Sequence, residues 1–173
     1  MPTRTKSTRS SATRSRKTAS QKDAISLLKA DHEKVRGLLS KLETAAERGG
    51  DRAMQLATQI EREVKIHSQI EEEIFYPAYR DAAQKKDDKK LFFEAKEEHH
   101  VVDMVMPEIE EPASNEEFAA KAKVLKELIE HHADEEEKQM FPKAKKLFDR
   151  DELRELGERL EQRKMELQNE VAR

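Results

Sequence analysis

Apolar residues recur at spacings of three, four and seven along most of the 173-residue chain, the period of helices that bury one face. Five such segments stand between breaks, with ends placed to about two residues. The first opens near "SQKD", where Ser20 and Asp23 form a candidate capping box. It carries Leu28, Val35, Leu39 and Leu42 on one stripe and ends at "RGGD" (48–51). The second runs from Asp51 to Gln84 with Ile60, Val64 and Ile74 inward, and "KKDDKK" (85–90) reads as a charged turn. The third spans 88–110 and carries Leu91, Ala95, Val102, Met106 and Ile109. After "EEPASNEE", Ser114 and Glu117 can cap a fourth helix over 115–148, with Phe118, Leu125 and Leu128 inward. "FDRDEL" restarts a fifth, capped by Asp149 and Glu152, whose stripe is Leu153, Leu156, Leu160 and Leu167.

Four long helices with short connections pack as an up-down-up-down bundle. The expected fold is therefore all-α: a four-helix bundle over 21–148 and an additional amphipathic C-terminal helix over 149–173. That fifth helix has no place in a four-fold bundle and either lies against its outside or offers a dimerisation surface. Composition supports helices with wide solvated faces, since 41% of residues are charged and 5% aromatic. No apolar run approaches a membrane span and no secretory signal is present, so the expectation is a cytoplasmic protein with no membrane partner. The net charge of −3 conceals an asymmetry. Residues 1–20 hold six Lys/Arg and no acid, which leaves 28 Lys/Arg against 37 Asp/Glu in the remainder. A tail so poor in apolar side chains is expected to be disordered. It either solubilises the chain or offers its Lys and Arg to nucleic acid.

Cysteine is absent, so only nitrogen and oxygen donors are on hand for a metal. All six histidines (His32, His67, His99, His100, His131 and His132) fall within the four bundle helices. His32 precedes Val35 and Leu39, and His99 precedes Val102 and Met106, by the same three and seven residues. His67 follows Ile60 and Val64, and His132 follows Leu125 and Leu128, on their stripes. Each helix thus offers one inward His. An internal near-repeat chooses between the doublets. "DHEKVRGLL" aligns on "EHHVVDMVM" at an offset of 67, pairing His32 with His99. "HSQIEEEIFYP" aligns on "HADEEEKQMFP" at 65, pairing His67 with His132 and Glu71 with Glu136. His100 and His131 are then secondary.

A lone inward His is usually a hydrogen-bonded core residue, and a lone His-x-x-x-Glu is usually a solvated pair. Four inward His, two with an inward carboxylate one turn later, would each cost about 1–3 kcal/mol to bury unpaired. A shared cation supplies the partner. Imidazole and carboxylate donors suit iron, manganese or zinc, and their number exceeds what one tetrahedral zinc takes. A pair of iron ions bridged by Glu71 and Glu136 fits best, with manganese or zinc as alternative occupants. Pro77 and Pro142 are expected to kink or end their helices just beyond these residues. Phe75, Tyr76, Phe92, Phe93 and Phe141 supply bulk around the site, and Tyr76 or Tyr79 is a candidate outer donor.

"DHEKV", "HSQIEEEIFYP", "EEHHVVD" and "HHADEEEKQMFP", in this order over roughly 21–148, resemble the hemerythrin family in its bacterial HHE cation-binding form. The resemblance implies a four-helix bundle around a non-haem di-iron centre, carboxylate-bridged with an oxo or hydroxo group. It implies ligands at His32, His67, Glu71, His99, His132 and Glu136. Where oxygen-carrying hemerythrins have a second His on the third helix, this chain has Asp103, which either ligates or leaves an open position. Glu137 competes with Glu136 for the helix-4 role. The leading function is binding of O2 or a related small ligand (nitric oxide, peroxide) for sensing, storage or stress protection. The alternatives are a di-iron enzyme consuming peroxide or nitric oxide, a ferroxidase, and a structural bundle whose basic tail contacts nucleic acid.

Overall fold

The computed structural model describes residues 22–109 and 114–171, and all regular structure among them is helical. The basic tail expected to be disordered, and Ser20, lie outside the described residues. Asp23 caps α1 (Ala24–Ala46), its side chain accepting from the Ser26 amide at 2.8 Å. Gly49 and Gly50 close the helix end at φ 67° and 89°, a region that side chains with a Cβ avoid. The next rod is α2 (Asp51–Ile70), a π-helical segment (Glu71–Phe75) and α3 (Tyr76–Ala82). The third, α4 (Lys86–Val105), runs into a 3₁₀ turn (Met106–Ile109). It begins inside "KKDDKK", so that run is a helix start and not a turn; Asp87 and Asp88 in its first turn complement the helix dipole. Ser114 caps α5 (Asn115–Glu135), accepting from the Glu117 amide at 3.2 Å. A second π segment (Glu136–Met140) and α6 (Phe141–Leu147) follow. α7 (Arg150–Val171) opens on a reciprocal capping box, Asp149 N–H to Glu152 Oε2 at 2.7 Å and Glu152 N–H to Asp149 Oδ1 at 2.9 Å.

The two π segments lie 65 residues apart, the offset of the sequence repeat, and each ends two residues before a proline in the first turn of the next α segment. Pro77 and Pro142 therefore neither end nor break the rods. A proline ring clashes with the carbonyl four residues back, and the wider turn moves that carbonyl aside. Tyr76 and Phe141 donate instead to the carbonyls of Glu71 and Glu136, five residues back. The extra residue also rotates the inward stripe. Phe75 and Tyr76 are buried, while Ile74, expected to continue the face, is only partly covered.

α1 lies against α2 and α5, and α4 against α5 and α3, completing the four-helix bundle. Its interior consists of two apolar clusters. One, around Leu39, Leu42, Ile60, Ile109 and Leu125, fills the end near Gly49. The other, around Leu28, Ile70, Phe75, Tyr79, Phe92 and Phe141, fills the opposite end. Phe93, expected beside the site, is 60% exposed, because it falls one position past the buried Phe92. α7 belongs to the second cluster through Leu153, Leu156, Leu160 and Leu167, and lies outside the bundle over α1, α2 and the first π segment. The approach is closest at Gly157, where a Cβ would sit 2.4 Å from the Lys22 carbonyl oxygen.

Candidate metal centre

Between the two apolar clusters lies a polar layer. His32, His67, His99, His132, Glu71 and Glu136 are each at most 7% exposed, one or two from every rod of the bundle. On α1, His32 sits between Leu28 and Val35, and on α4, His99 sits between Ala95 and Val102, so each helix passes through both cores and crosses the layer once.

The imidazoles meet in two pairs: His32 Nε2 faces His67 Nε2 at 3.1 Å, and His99 Nε2 faces His132 Nε2 at 3.1 Å. Each carboxylate reaches one ring of each pair. Glu71 Oε2 is 3.2 Å from His67 Nε2 and 3.4 Å from His99 Nε2. Glu136 Oε2 is 3.1 Å from His32 Nε2 and 3.6 Å from His132 Nε2. Glu71 Oε1 is buried without a hydrogen-bond partner. The donor atoms thus form two adjacent groups that share Glu71: His32, His67, Glu71 and Glu136, and Glu71, His99 and His132.

Behind each ring, Nδ1 faces a second carboxylate: Glu137 for His32 (3.0 Å), Asp31 for His67 (3.6 Å), Glu72 for His99 (3.0 Å) and Glu98 for His132 (2.8 Å). These four acids obey the repeat as well, Asp31 matching Glu98 at 67 and Glu72 matching Glu137 at 65. For His32, His99 and His132, whose acceptors lie within 3.0 Å, the acceptor fixes the proton at Nδ1 and leaves the Nε2 lone pair pointing at the layer. Two such lone pairs at 3.1 Å repel unless a cation or a proton lies between them.

The ionisation of the layer reports the same shortage of positive charge. Burial, and then the neighbouring Glu136 charge, push Glu71 well above the usual carboxylate range. Burial acts on Glu136 likewise, but the charges of His132 and His32 and the hydrogen bond with His32 outweigh it and hold Glu136 low. Burial alone would lower His32 and His132, yet Glu136 raises both. His67 is carried down by its burial, to about 4. Without a metal ion, protons must balance the two buried carboxylates; a cation takes their place. The buried His and Glu donor set therefore fits bound cations.

Six of the seven expected residues come together. The seventh, Asp103, does not: the buried stripe of α4 runs through Ala95, His99, Val102 and Met106, and Asp103 falls beside it, exposed in a surface groove with Glu72, Glu73 and Pro107. Of the competing residues, Glu136 points into the layer. Glu137 turns outward, where Lys29 (3.2 Å) and Arg36 (2.7 Å) hold it, and the His131 side chain is 66% exposed. Of the two candidate outer donors, Tyr76 is the one that reaches the layer. Its hydroxyl donates to Glu136 Oε1 at 2.9 Å and lies 3.4 Å from Glu71 Oε2 and 3.3 Å from His99 Nε2. Burial, then Glu136 and Glu71, raise it far above the ordinary phenol range, so it stays a donor. Its counterpart in the repeat is Phe141, which stacks on His32 with ring centroids 5.7 Å apart. The signal was present in the alignment, where "FYP" faces "MFP". On the opposite side of the rings, Val35, Val64, Val102 and Ile129 join the four histidines around a cavity of about 30 Å³.

The model of the hemerythrin HHE cation binding domain matches residues 23–144. Mb2666c of Mycobacterium bovis and Rv2633c of Mycobacterium tuberculosis, both described as uncharacterised, are each 29% identical over 139 residues, 80% of this chain and 83% of theirs. The crystal structure of a hemerythrin HHE cation binding domain-containing protein from Mycobacterium kansasii, a homolog of Rv2633c, aligns with a TM-score of 0.73 at 28% identity. The alignment covers 87% of this chain and 90% of that one.

Proposed function

The chain belongs to the hemerythrin HHE cation-binding family, and we propose that its polar layer holds two iron ions and binds O2 or a related small ligand, nitric oxide or peroxide, for sensing, storage or stress protection. The observation that carries this reading is the pair of facing imidazole pairs, 3.1 Å apart, with each buried glutamate reaching across both. His32 and His67 would hold one ion, His99 and His132 the other, with Glu71 and Glu136 between them. When bound, two ferrous ions supply two electrons and a position for a diatomic ligand. The chain does the rest. Glu137, Glu72 and Glu98, hydrogen-bonded to His32, His99 and His132, orient three of the imidazoles. Val35, Val64, Val102 and Ile129 give the small cavity beside the histidines an apolar wall, with room for a ligand of about two heavy atoms. Tyr76 presents its proton to whatever sits beside Glu136.

The test is an anaerobic titration of the full chain with ferrous iron, read by metal content and by near-ultraviolet absorption before and after air, then with azide. Two ions per chain and an azide-sensitive band are expected. His67→Ala and Glu71→Ala should each lose most of the iron; full occupancy in both would sink the assignment.

A second reading, turnover instead of binding, is favoured by the Tyr76 hydroxyl alone. A phenol hydrogen-bonded to Glu136 can deliver a proton to bound peroxide in a disproportionation of two H2O2 to two H2O and one O2. Peroxide consumption well above that of free iron, and lost in Tyr76→Phe at unchanged iron content, would select it.

A further inference from the structure

The near-symmetry of the centre contains its own internal comparison. His67 and His132 are repeat partners, and so are the acids behind them, Asp31 and Glu98. Glu98 closes on His132 Nδ1 at 2.8 Å, whereas Asp31 stands 3.6 Å from His67 Nδ1, too far for a hydrogen bond. Asp31 Oδ2 and His67 Nδ1 are both buried and without a partner. The difference lies behind the acid. Asp31 Oδ1 accepts a short, direct contact from the Lys164 ammonium of α7, and the Lys164 and Asp31 side chains are 18% and 12% exposed. Behind Glu98, among the described residues, stands the exposed His131 ring at 3.6 Å and no ammonium.

The sequence explains why α7 covers one hairpin and not the other. Ile66 and Ile70 share its apolar cluster, and their repeat counterparts are His131 and Glu135. Lys164 is itself held in place by its neighbour, since Arg163 grips Glu73 of the first π segment at 2.7 and 3.2 Å. The whole of α7 lies beyond residues 23–144, the part that matches the family.

We propose that Lys164 is a positioning residue for the metal centre: it holds Asp31 off His67 and thereby makes the His32/His67 position the weaker of the two metal positions. A carboxylate that accepts from Nδ1–H strengthens the imidazole as a donor at Nε2. An ammonium that claims this carboxylate withdraws that support and adds a positive charge on the same side of the ion. The inference rests on the two-ion reading above.

The test is a titration of the full-length chain with cobalt(II), whose visible absorption reports each step, in wild type, Lys164→Met and Lys164→Arg. Circular dichroism establishes that each variant is folded, and Lys164→Gln replaces the Met variant if that one is not. Wild type and Lys164→Arg should bind two ions with unequal affinity. The neutral variant should bind its weaker ion about tenfold tighter, within the range by which outer partners change metal affinity. A helix that merely props up the site predicts the opposite sign. Equal or weaker binding in the folded neutral variant, or the same gain in Lys164→Arg, would overturn the proposal while leaving the two-ion centre standing. Failure of the wild type to take two ions would overturn that centre and this proposal with it.

Discussion

At the scale of single residues, the side chains of the layer divide by which way a few degrees of helix rotation send them. His99 and Asp103 are four apart, so an inward His made an inward Asp plausible from sequence. The stripe of α4 instead drifts toward Val102 and Met106 and leaves Asp103 in solvent. Asp103→Ala should therefore leave the metal content at the wild-type value by elemental analysis, and a lost ion would restore it as a ligand. Glu98, which no stripe argument singled out, should matter more. Removing the acceptor behind His132 with Glu98→Ala should weaken metal binding about 10- to 100-fold in a chelator competition. The four inward histidines and their two glutamates were legible because both periodicity and the internal repeat selected them. The outer acids were hidden among 37 carboxylates whose pattern alone does not distinguish a solvated face from a partner of a ring nitrogen.

At the scale of elements, five rods were readable from stripes and caps, and their internal irregularities were not. Propensity scarcely separates a π turn from an α turn; what forces it here is a proline six positions after a glutamate that must point inward. The caps were readable because their chemistry is local. Asp23→Ala removes the acceptor for the Ser26 amide at the start of α1 and should cost about 1 kcal/mol in urea unfolding. No change in midpoint would mean that another group satisfies that amide.

For the whole molecule, sequence left open whether the fifth helix docks on its own bundle. Docking depends on contacts far apart in the chain. Gly157 is the clearest of them, because its missing Cβ would meet Lys22 and Ala24 backbone atoms at 2.4 and 2.8 Å. Backbone cannot step aside as a flexible side chain can. Gly157→Ala should destabilise the protein by about 1–3 kcal/mol in denaturant titration, and a neutral result would show that α7 tolerates displacement. The polar layer makes a second global prediction. It interrupts the apolar core across all four rods, and metal bound only by the folded chain adds to stability by mass action. Stripping a metal-loaded sample with chelator should lower its thermal midpoint, and reloading should restore it; an unmoved midpoint would show that the ions contribute nothing to folding.

The correspondence of α1 to α3 with α4 to α6, down to the paired acids and the two π turns, also has a meaning for assembly. A lone hairpin of this kind holds half a centre and must find a second copy to complete it, so its occupancy would rise and fall with protein concentration. Two hairpins in one chain make the centre independent of dilution. The two hairpins are not identical: Tyr76 is a donor where Phe141 is a stacking surface, and Arg36 stands where its counterpart is Asp103. Ile66 and Ile70 give the first hairpin the apolar flank on which α7 packs, where the second has His131 and Glu135.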